Sequence, residues 1–433
     1  MSQEDKTLDS STDFDISGSS GSYQLEWTSL KISCKVTHLQ ENSHYELRGY
    51  VTFTSERPTS KGHLRGGSLL LTSPQSRASF AKQLEKREPT VDWDECMEQL
   101  CENIIGRQRQ GAEVVVLNSE YLPDVDSSDE NQFSVYPVLE NESATIFYGH
   151  GSHGKSLLAQ YIAVLCDEGI SGVGIRVDRK IPVLYLDYET NDKQLFRRVQ
   201  SIRKGLGLSP NSTINYRPMA SSLVSDIEQI REICRDKDIG LIVIDSISGA
   251  CGGEQEAQKP IKDMMTAIRS IQIDLKMSAL YIGHVNKQEQ MFGSVFQFYD
   301  ARNVFNVRKD QKEGDASLSV GLFHQKSNDG LLRQPMGYKV SFNDGLCTLS
   351  SHDVRDSGLE QHLNMKERIA SLMRNKTGGM SPADLAEDLG KTETHIRKEL
   401  SEGVRNYKMF VRLENGNYAN VTRGDDDIQW ELN

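Results

Sequence analysis

The sequence predicts an α/β protein built on a parallel sheet, with a small β-rich module ahead of it and a compact helical unit behind it. Three patterns carry that expectation. Between about residues 133 and 345 the apolar runs "ATIFYG", "PVLYLDYE", "GLIVIDSI" and "ALYIGHV" alternate with helical stretches. Strands apolar on both faces belong to a parallel sheet covered by helices on each side. From Tyr23 to about Ser73 the runs "LKISCKVTHL", "YELRGYVTFTS" and "GGSLLLTS" alternate or are β-branched, punctuated by Gly and Pro, as the strands of a small module are. Residues 361 to 422 repeat helix caps and helical spacing and close on a hairpin pattern.

Length and charge bound the reading. A chain of 433 residues exceeds what one hydrophobic core usually supports, so two or three domains are expected. No run of about 18 uncharged apolar residues is present to span a bilayer, and the opening "MSQEDKTLDSSTDFD" lacks the basic and apolar regions of a secretory signal. The expected setting is cytoplasmic, with no membrane partner. The seven cysteines never form C-x-x-C, which argues for buried, inert thiols over disulfides or zinc. A net charge of -12 excludes a surface that coats nucleic acid throughout, and leaves room for a local basic face.

In chain order, residues 1–21 read as an unfolded leader, being Ser, Asp, Gly and Thr with hardly an apolar anchor. Residues 22–132 read as an α+β module of no assigned chemistry, whose stretch "VDWDECMEQLCENIIGRQRQG" sets Trp93, Met97, Leu100, Cys101 and Ile104 at helical spacing. The α/β region covers 133–345. The polar stretch around "SSHDVRDSGLEQ" reads as a linker, 346–360. A compact unit, 361–423, and an acidic tail, 424–433, complete the chain.

The strongest local signal is "GHGSHGKS", Gly149 to Ser156. It fits G-x-x-x-x-G-K-[ST], with a strand before it and a helix after it as that loop requires. Glycines let backbone N–H groups curl inward around a phosphate, and the following helix adds its positive end. Gly149, Gly151, Ser152, His153, Gly154, Lys155, Ser156 and Leu157 are therefore the expected contacts of ATP. Lys155 is expected to reach the β and γ phosphates and Ser156 to ligate Mg2+. His150 and His153 read as solvent-facing loop residues, or, when protonated, as extra positive charge near the nucleotide.

Further groups sit at the ends of the other apolar strands. Asp245 closes "GLIVID", where a carboxylate can hold the magnesium shell through water. Asp187 and Glu189 follow "PVLYL". Hydrolysis needs a carboxylate to orient or deprotonate water, and Glu189 is the chosen base; the plainer reading is an acidic cap on the next helix. His284 ends "ALYIGH", with Asn286 and Lys287 behind it, and is placed to contact the γ-phosphate.

The motifs "GHGSHGKS", "LYLDYE", "LIVIDS", "YIGHVNK" and "GSVFQFYDARNVFNV" occur in the order and spacing of the RecA-type ATPases, and residues 133–345 most closely resemble the RepA-like hexameric helicases and ATPases (AAA-type). The resemblance implies a RecA-like P-loop NTPase core binding ATP and Mg2+ through Lys155 and Ser156. It further implies water activation by Glu189, magnesium support by Asp245 and a sensor at His284. It also implies a homo-oligomer, a hexameric ring with the nucleotide between subunits and a basic finger from the neighbour. Arg302 and Lys326 are the two candidates. Ring helicases often show K-x-R at the second place, where this chain has Lys326 and Asn328. Arg302 is preferred because a guanidinium grips phosphoryl oxygens bidentately. The loop "SISGACGGEQEAQKP", which faces the pore in such rings, carries Glu254 and Glu256 against Lys259, so strong phosphate binding is not evident there.

The last unit reads helix, helix, turn, helix, hairpin, with Ser381 and Pro382 opening the second helix, Gly390 closing it, and Asn415 and Gly416 in the hairpin turn. It resembles a winged helix-turn-helix domain. That resemblance puts Thr392, Thr394, His395, Arg397 and Lys398 against DNA on the third helix and Arg412 on the wing. A protein-contact module is the other reading. The expected function is an ATP-hydrolysing RecA/RepA-like ring associated with DNA, a helicase-like replication or recombination motor. The alternative is an ATP-dependent switch whose winged helix binds an operator or a protein. A small-molecule kinase is disfavoured, since no lid segment or acceptor site is apparent.

Overall fold

A computed structural model of the chain describes residues 14–19, 21–42, 44–110, 132–252, 258–285, 300–328, 332–374, 376–405 and 409–421. It divides into two compact units, residues 1–125 and 126–433.

In the first unit, β1 (Phe14–Ser19), β2 (Ser22–Trp27), β3 (Ile32–Glu41), β4 (Leu47–Ser55) and β5 (Gly62–Leu70) form an antiparallel sheet in chain order. One face is covered by α1 (Pro74–Glu85) and α2 (Trp93–Gln110). Alternation decides the faces. On β4, Leu47, Val51 and Phe53 are buried while Arg48 and Tyr50 are exposed. The α2 residues Trp93, Met97, Leu100, Cys101 and Ile104 all enter this core, as their spacing predicted. The leader is shorter than expected: Phe14–Ser19 pairs along β2, because Phe14 and Ile16 pack against the core while the polar residues between them face out.

The second unit opens with the small hairpin β6 (Phe133–Val135) and β7 (Leu139–Glu140), then β8 (Ala144–Gly149), α3 (Lys155–Glu168), β9 (Val183–Asp187), α4 (Asp192–Gly205) and β10 (Asn215–Pro218). There follow α5 (Ile227–Asp236), β11 (Leu241–Asp245), α6 (Ile247–Ala250), α7 (Gln258–Leu275), β12 (Ser278–His284), β13 (Asn303–Asp310), β14 (Ser317–Ser327), β15 (Met336–Asn343) and β16 (Leu346–Ser351). Among the described residues one sheet runs β10-β9-β11-β12-β8-β13-β14-β15-β16. The strands from β10 to β13 are mutually parallel, and β14 to β16 continue antiparallel.

The uniformly apolar strands follow from burial on both sides. Val183 and Tyr185 of β9 join the core shared with α3 and α4, whereas Leu184 and Leu186 join the one shared with α5 and α7. The linker expected at 346–360 is a correction. Leu346–Ser351 is strand β16, held on β15, and α4 packs on it so closely that a Cβ on Gly205 would lie 1.9 Å from the Cys347 carbonyl oxygen. Val354 and Leu359, in the 3-10 turns Val354–Asp356 and Gly358–His362, are buried with Phe323 and Leu363. Polar composition hid a segment anchored by a few apolar side chains.

The last part of this unit holds α8 (Met365–Met373), α9 (Pro382–Leu389), α10 (Glu393–Arg405), β17 (Phe410–Arg412) and β18 (Tyr418–Asn420) around Ile369, Leu385, Ile396, Leu400 and Phe410. The caps are those read from sequence: Ser381 accepts from the Asp384 N–H, and Gly390 adopts a left-handed φ of 60°. The acidic tail lies outside the described residues. All seven cysteines are buried and unpaired.

Candidate nucleotide site at the carboxyl edge of the sheet

Parallel strands deliver their ends to one edge, and register aligns the predicted groups there. Asp245 lies opposite Asp187 on β9 and Ile282 on β12, and His284 lies opposite Gly149 of β8. The loop after Gly149 turns through left-handed Ser152 (φ 62°) and Gly154 (φ 86°). It then enters α3, whose first residue is Lys155. A Cβ on Gly149 would stand 2.3 Å from the carbonyl oxygen of Val307 on β13, so only glycine fits.

Lys155 is 4% exposed. Its Nζ donates to the carbonyls of Gly149 (2.9 Å) and His150 (2.7 Å), so the ammonium spans the mouth of the loop. Burial lowers its pKa, against the opposing pull of Glu189 and Asp245.

His153 is not the solvent-facing residue expected. It is half-buried, and its Nδ1 donates to the Val307 carbonyl at 3.1 Å. Burial draws its pKa down, which opposes the protonated role.

Asp245 is 3% exposed. Its Oδ2 accepts from the Tyr185 hydroxyl at 2.7 Å, and its Oδ1 is buried with no hydrogen-bond partner. Burial pushes the carboxyl up to about 6, although the Tyr185 and Ser156 hydroxyls pull it down.

The two carboxylates after β9 part company. Asp187 is buried and fully engaged: Oδ1 accepts from the N–H groups of Glu189 and Thr190 at 2.9 Å each, and Oδ2 from the hydroxyls of Thr190 and Tyr216. It shapes the turn that presents Glu189. The Glu189 carboxylate is exposed and meets His284 Nε2 at 2.8 Å. That hydrogen bond holds its pKa down to about 2, so it is an ionised acceptor at neutral pH.

Among the described residues no group of three or more His, Cys, Asp or Glu side chains could cage a metal. Magnesium commonly needs only one or two protein ligands, the rest of its shell being phosphate and water. The residues fit that pattern, since Ser156 is the second residue of α3 and Asp245 keeps one orphaned buried oxygen. Bound there, the ion would neutralise phosphate charge.

Arg302 and Lys326 sit elsewhere. The Arg302 N–H bonds the carbonyl of Ala144, where β8 begins, and Lys326 pairs with Val304 while its Nζ donates to the Ala301 carbonyl. The length of β8, about 16 Å at the usual strand rise, separates them from the loop of their own chain. Asn286, Lys287, Glu254 and Glu256 lie outside the described residues.

At the other end of the unit Thr392, Thr394, His395, Arg397, Lys398 and Arg412 are all exposed. Arg397 is already paired with Glu393, one turn before it on α10.

Reading the sequence missed Tyr185, Val307 and Arg308. A phenol inside an otherwise aliphatic strand two residues before Asp187 was the available signal for the first. Val307 works through its backbone, which no side chain advertises. Arg308 follows it: burial raises the Tyr148 pKa and lowers that of His153, and the Arg308 charge pulls on both downward.

Residues 125–290 match the family described as an AAA domain. The core has the fold of a P-loop NTPase. No curated protein matches the chain. Among solved structures, the flagellar accessory protein FlaH of Methanocaldococcus jannaschii is 15% identical, with 53% of this chain and 97% of that one covered and a TM-score of 0.36. A KaiC-like protein of Pyrococcus horikoshii is likewise 15% identical, covering 52% and 94%, with a TM-score of 0.36. The RecA-like P-loop core and the β-rich module before it are thus the fold expected from the sequence. Among the described residues no helix is long and apolar enough to cross a membrane.

Proposed function

We propose that the chain is an ATP-hydrolysing motor that works on DNA as a hexameric ring of identical subunits. One observation carries the chemistry: Lys155, Asp245 and the Glu189–His284 pair converge on the loop edge of the sheet. They supply a cation for phosphate, a carboxylate oxygen for the magnesium shell, and an ionised carboxylate to orient water. The ring reading is supported by Arg302 and Lys326. Both stand at the opposite edge, away from the phosphate loop of their own chain, as fingers serving a neighbouring subunit would.

For DNA, the support is the helix, helix, helix, hairpin order of the last part, its resemblance to a winged helix, and the exposure of Thr392, Thr394, His395, Arg397, Lys398 and Arg412. A second reading, an ATP-dependent switch acting through this part, draws on its ties to the core. Asp353 accepts from Arg355 and from Arg374, which caps the C-terminus of α8, and the Gly358 N–H donates to Asp310 at the end of β13.

The test is ATP turnover with and without single- and double-stranded DNA, alongside the mass of the nucleotide-bound particle. DNA-stimulated turnover in a ring-sized particle is expected; a DNA-indifferent monomer would end the motor reading. Strand displacement on a forked duplex separates motor from switch. Deleting residues 361–433 should flatten the slope of log K against log salt if this part holds DNA.

A further inference from the structure

Tyr185 raises a question that the ATPase chemistry leaves open. It lies inside β9, 1% exposed, between aliphatic residues that phenylalanine could join without change of volume. A buried hydroxyl without a partner costs about 1–3 kcal/mol, so its neighbours must account for it. It donates to Asp245 Oδ2 at 2.7 Å across the β9–β11 pairing, where Tyr185 stands opposite Val243. On the other side Gln160, 1% exposed, neighbours the same phenol. Gln160 follows Ser156 by one turn of α3, so both face the same strands.

We infer that Tyr185 is a positioning residue that fixes the Asp245 carboxylate so that its free oxygen serves the magnesium shell. The inference rests on the ATPase reading of this site and deepens it. With Oδ2 pinned, the carboxylate cannot rotate freely, and Oδ1 remains buried without a hydrogen-bond partner. The Ser156 hydroxyl neighbours the Asp245 carboxylate, which sets the unpartnered oxygen and the expected metal-binding hydroxyl in one neighbourhood. Groups that orient a metal-supporting carboxylate typically change metal affinity by about 10–100-fold when removed.

The experiment uses the full chain and Tyr185→Phe, with a fluorescent ATP analogue titrated in EDTA and at rising Mg2+. The expected result is unchanged affinity in EDTA and about a tenfold rise in the Mg2+ concentration at half-effect. Turnover should recover at saturating Mg2+. An unchanged Mg2+ midpoint, or an equal loss with and without Mg2+, overturns the inference. Failure of the wild type to bind the analogue at all would instead sink the ATPase reading. Should Tyr185→Phe not fold, Gln160→Leu removes the second contact of the phenol and should shift the Mg2+ midpoint in the same direction by less; no shift there counts against the inference equally.

Discussion

Glu189 and His284 meet at 2.8 Å across the carboxyl edge of the sheet, one following β9 and the other ending β12, with β11 and its Asp245 between them. The imidazole holds the solvent-facing Glu189 carboxylate in place and ionised. Replacing Glu189 with Gln keeps the shape and removes the acceptor for a proton of water. ATP turnover should fall by about 10²–10⁴-fold, with affinity for a fluorescent ATP analogue nearly unchanged. Retained turnover would remove Glu189 from the chemistry.

Lys155 is the grip on phosphate. Lys155→Ala removes a buried cation and its charged hydrogen bonds, so nucleotide affinity should fall by roughly 3 kcal/mol, about a hundredfold. Equilibrium binding of the same analogue checks it.

Two glycines of the loop should behave differently. At Gly149 an added methyl meets the Val307 backbone at 2.3 Å, while at Gly151 it meets nothing within 4 Å. Gly149→Ala should cost about 1–3 kcal/mol in a urea titration, and Gly151→Ala less than about 0.5 kcal/mol.

Arg302 is exposed and lies where β8 begins, at the end of that strand away from its own loop. If it completes the site of a neighbouring subunit, doping wild type with Arg302→Ala should lower turnover more steeply than dilution. A strictly proportional loss would place the finger elsewhere, Lys326 being the next to test.

Stability should weaken in mild acid through His324. Its ring lies 4.3 Å over Phe305, its Nε2 donates to Asn303 Oδ1 at 3.1 Å, and its Nδ1 accepts from the Arg333 N–H at 3.1 Å. Burial lowers its pKa to about 4, against about 6.5 in the unfolded chain. The unfolded state therefore binds the proton first. The contribution is fully present above about pH 6.5 and lost as pH falls toward 4, on the order of 3 kcal/mol. Urea midpoints between pH 4 and 7 should slope for wild type and flatten for His324→Gln.

What could be read from sequence depended on where the signal resides. Lys155, Glu189, Asp245 and His284 were legible because each ends or follows an apolar run, and a parallel sheet brings such ends to one edge. The antiparallel extension through β16 was not, since Leu346, Cys347 and Leu349 are embedded among Ser and Thr. Strand β1 was hidden likewise, its two apolar residues being spaced for one face of a sheet edge. Tyr185 looked like core filling until its hydroxyl met Asp245. Contacts made by main-chain atoms, such as that of Val307, leave no trace in residue type.

That Val307 carbonyl anchors His153 and crowds Gly149 at once, so the cradle takes its curvature from outside itself, before any ligand arrives. β13 is in effect a stiff strut, one tip braced on the cradle and the base beside Arg302.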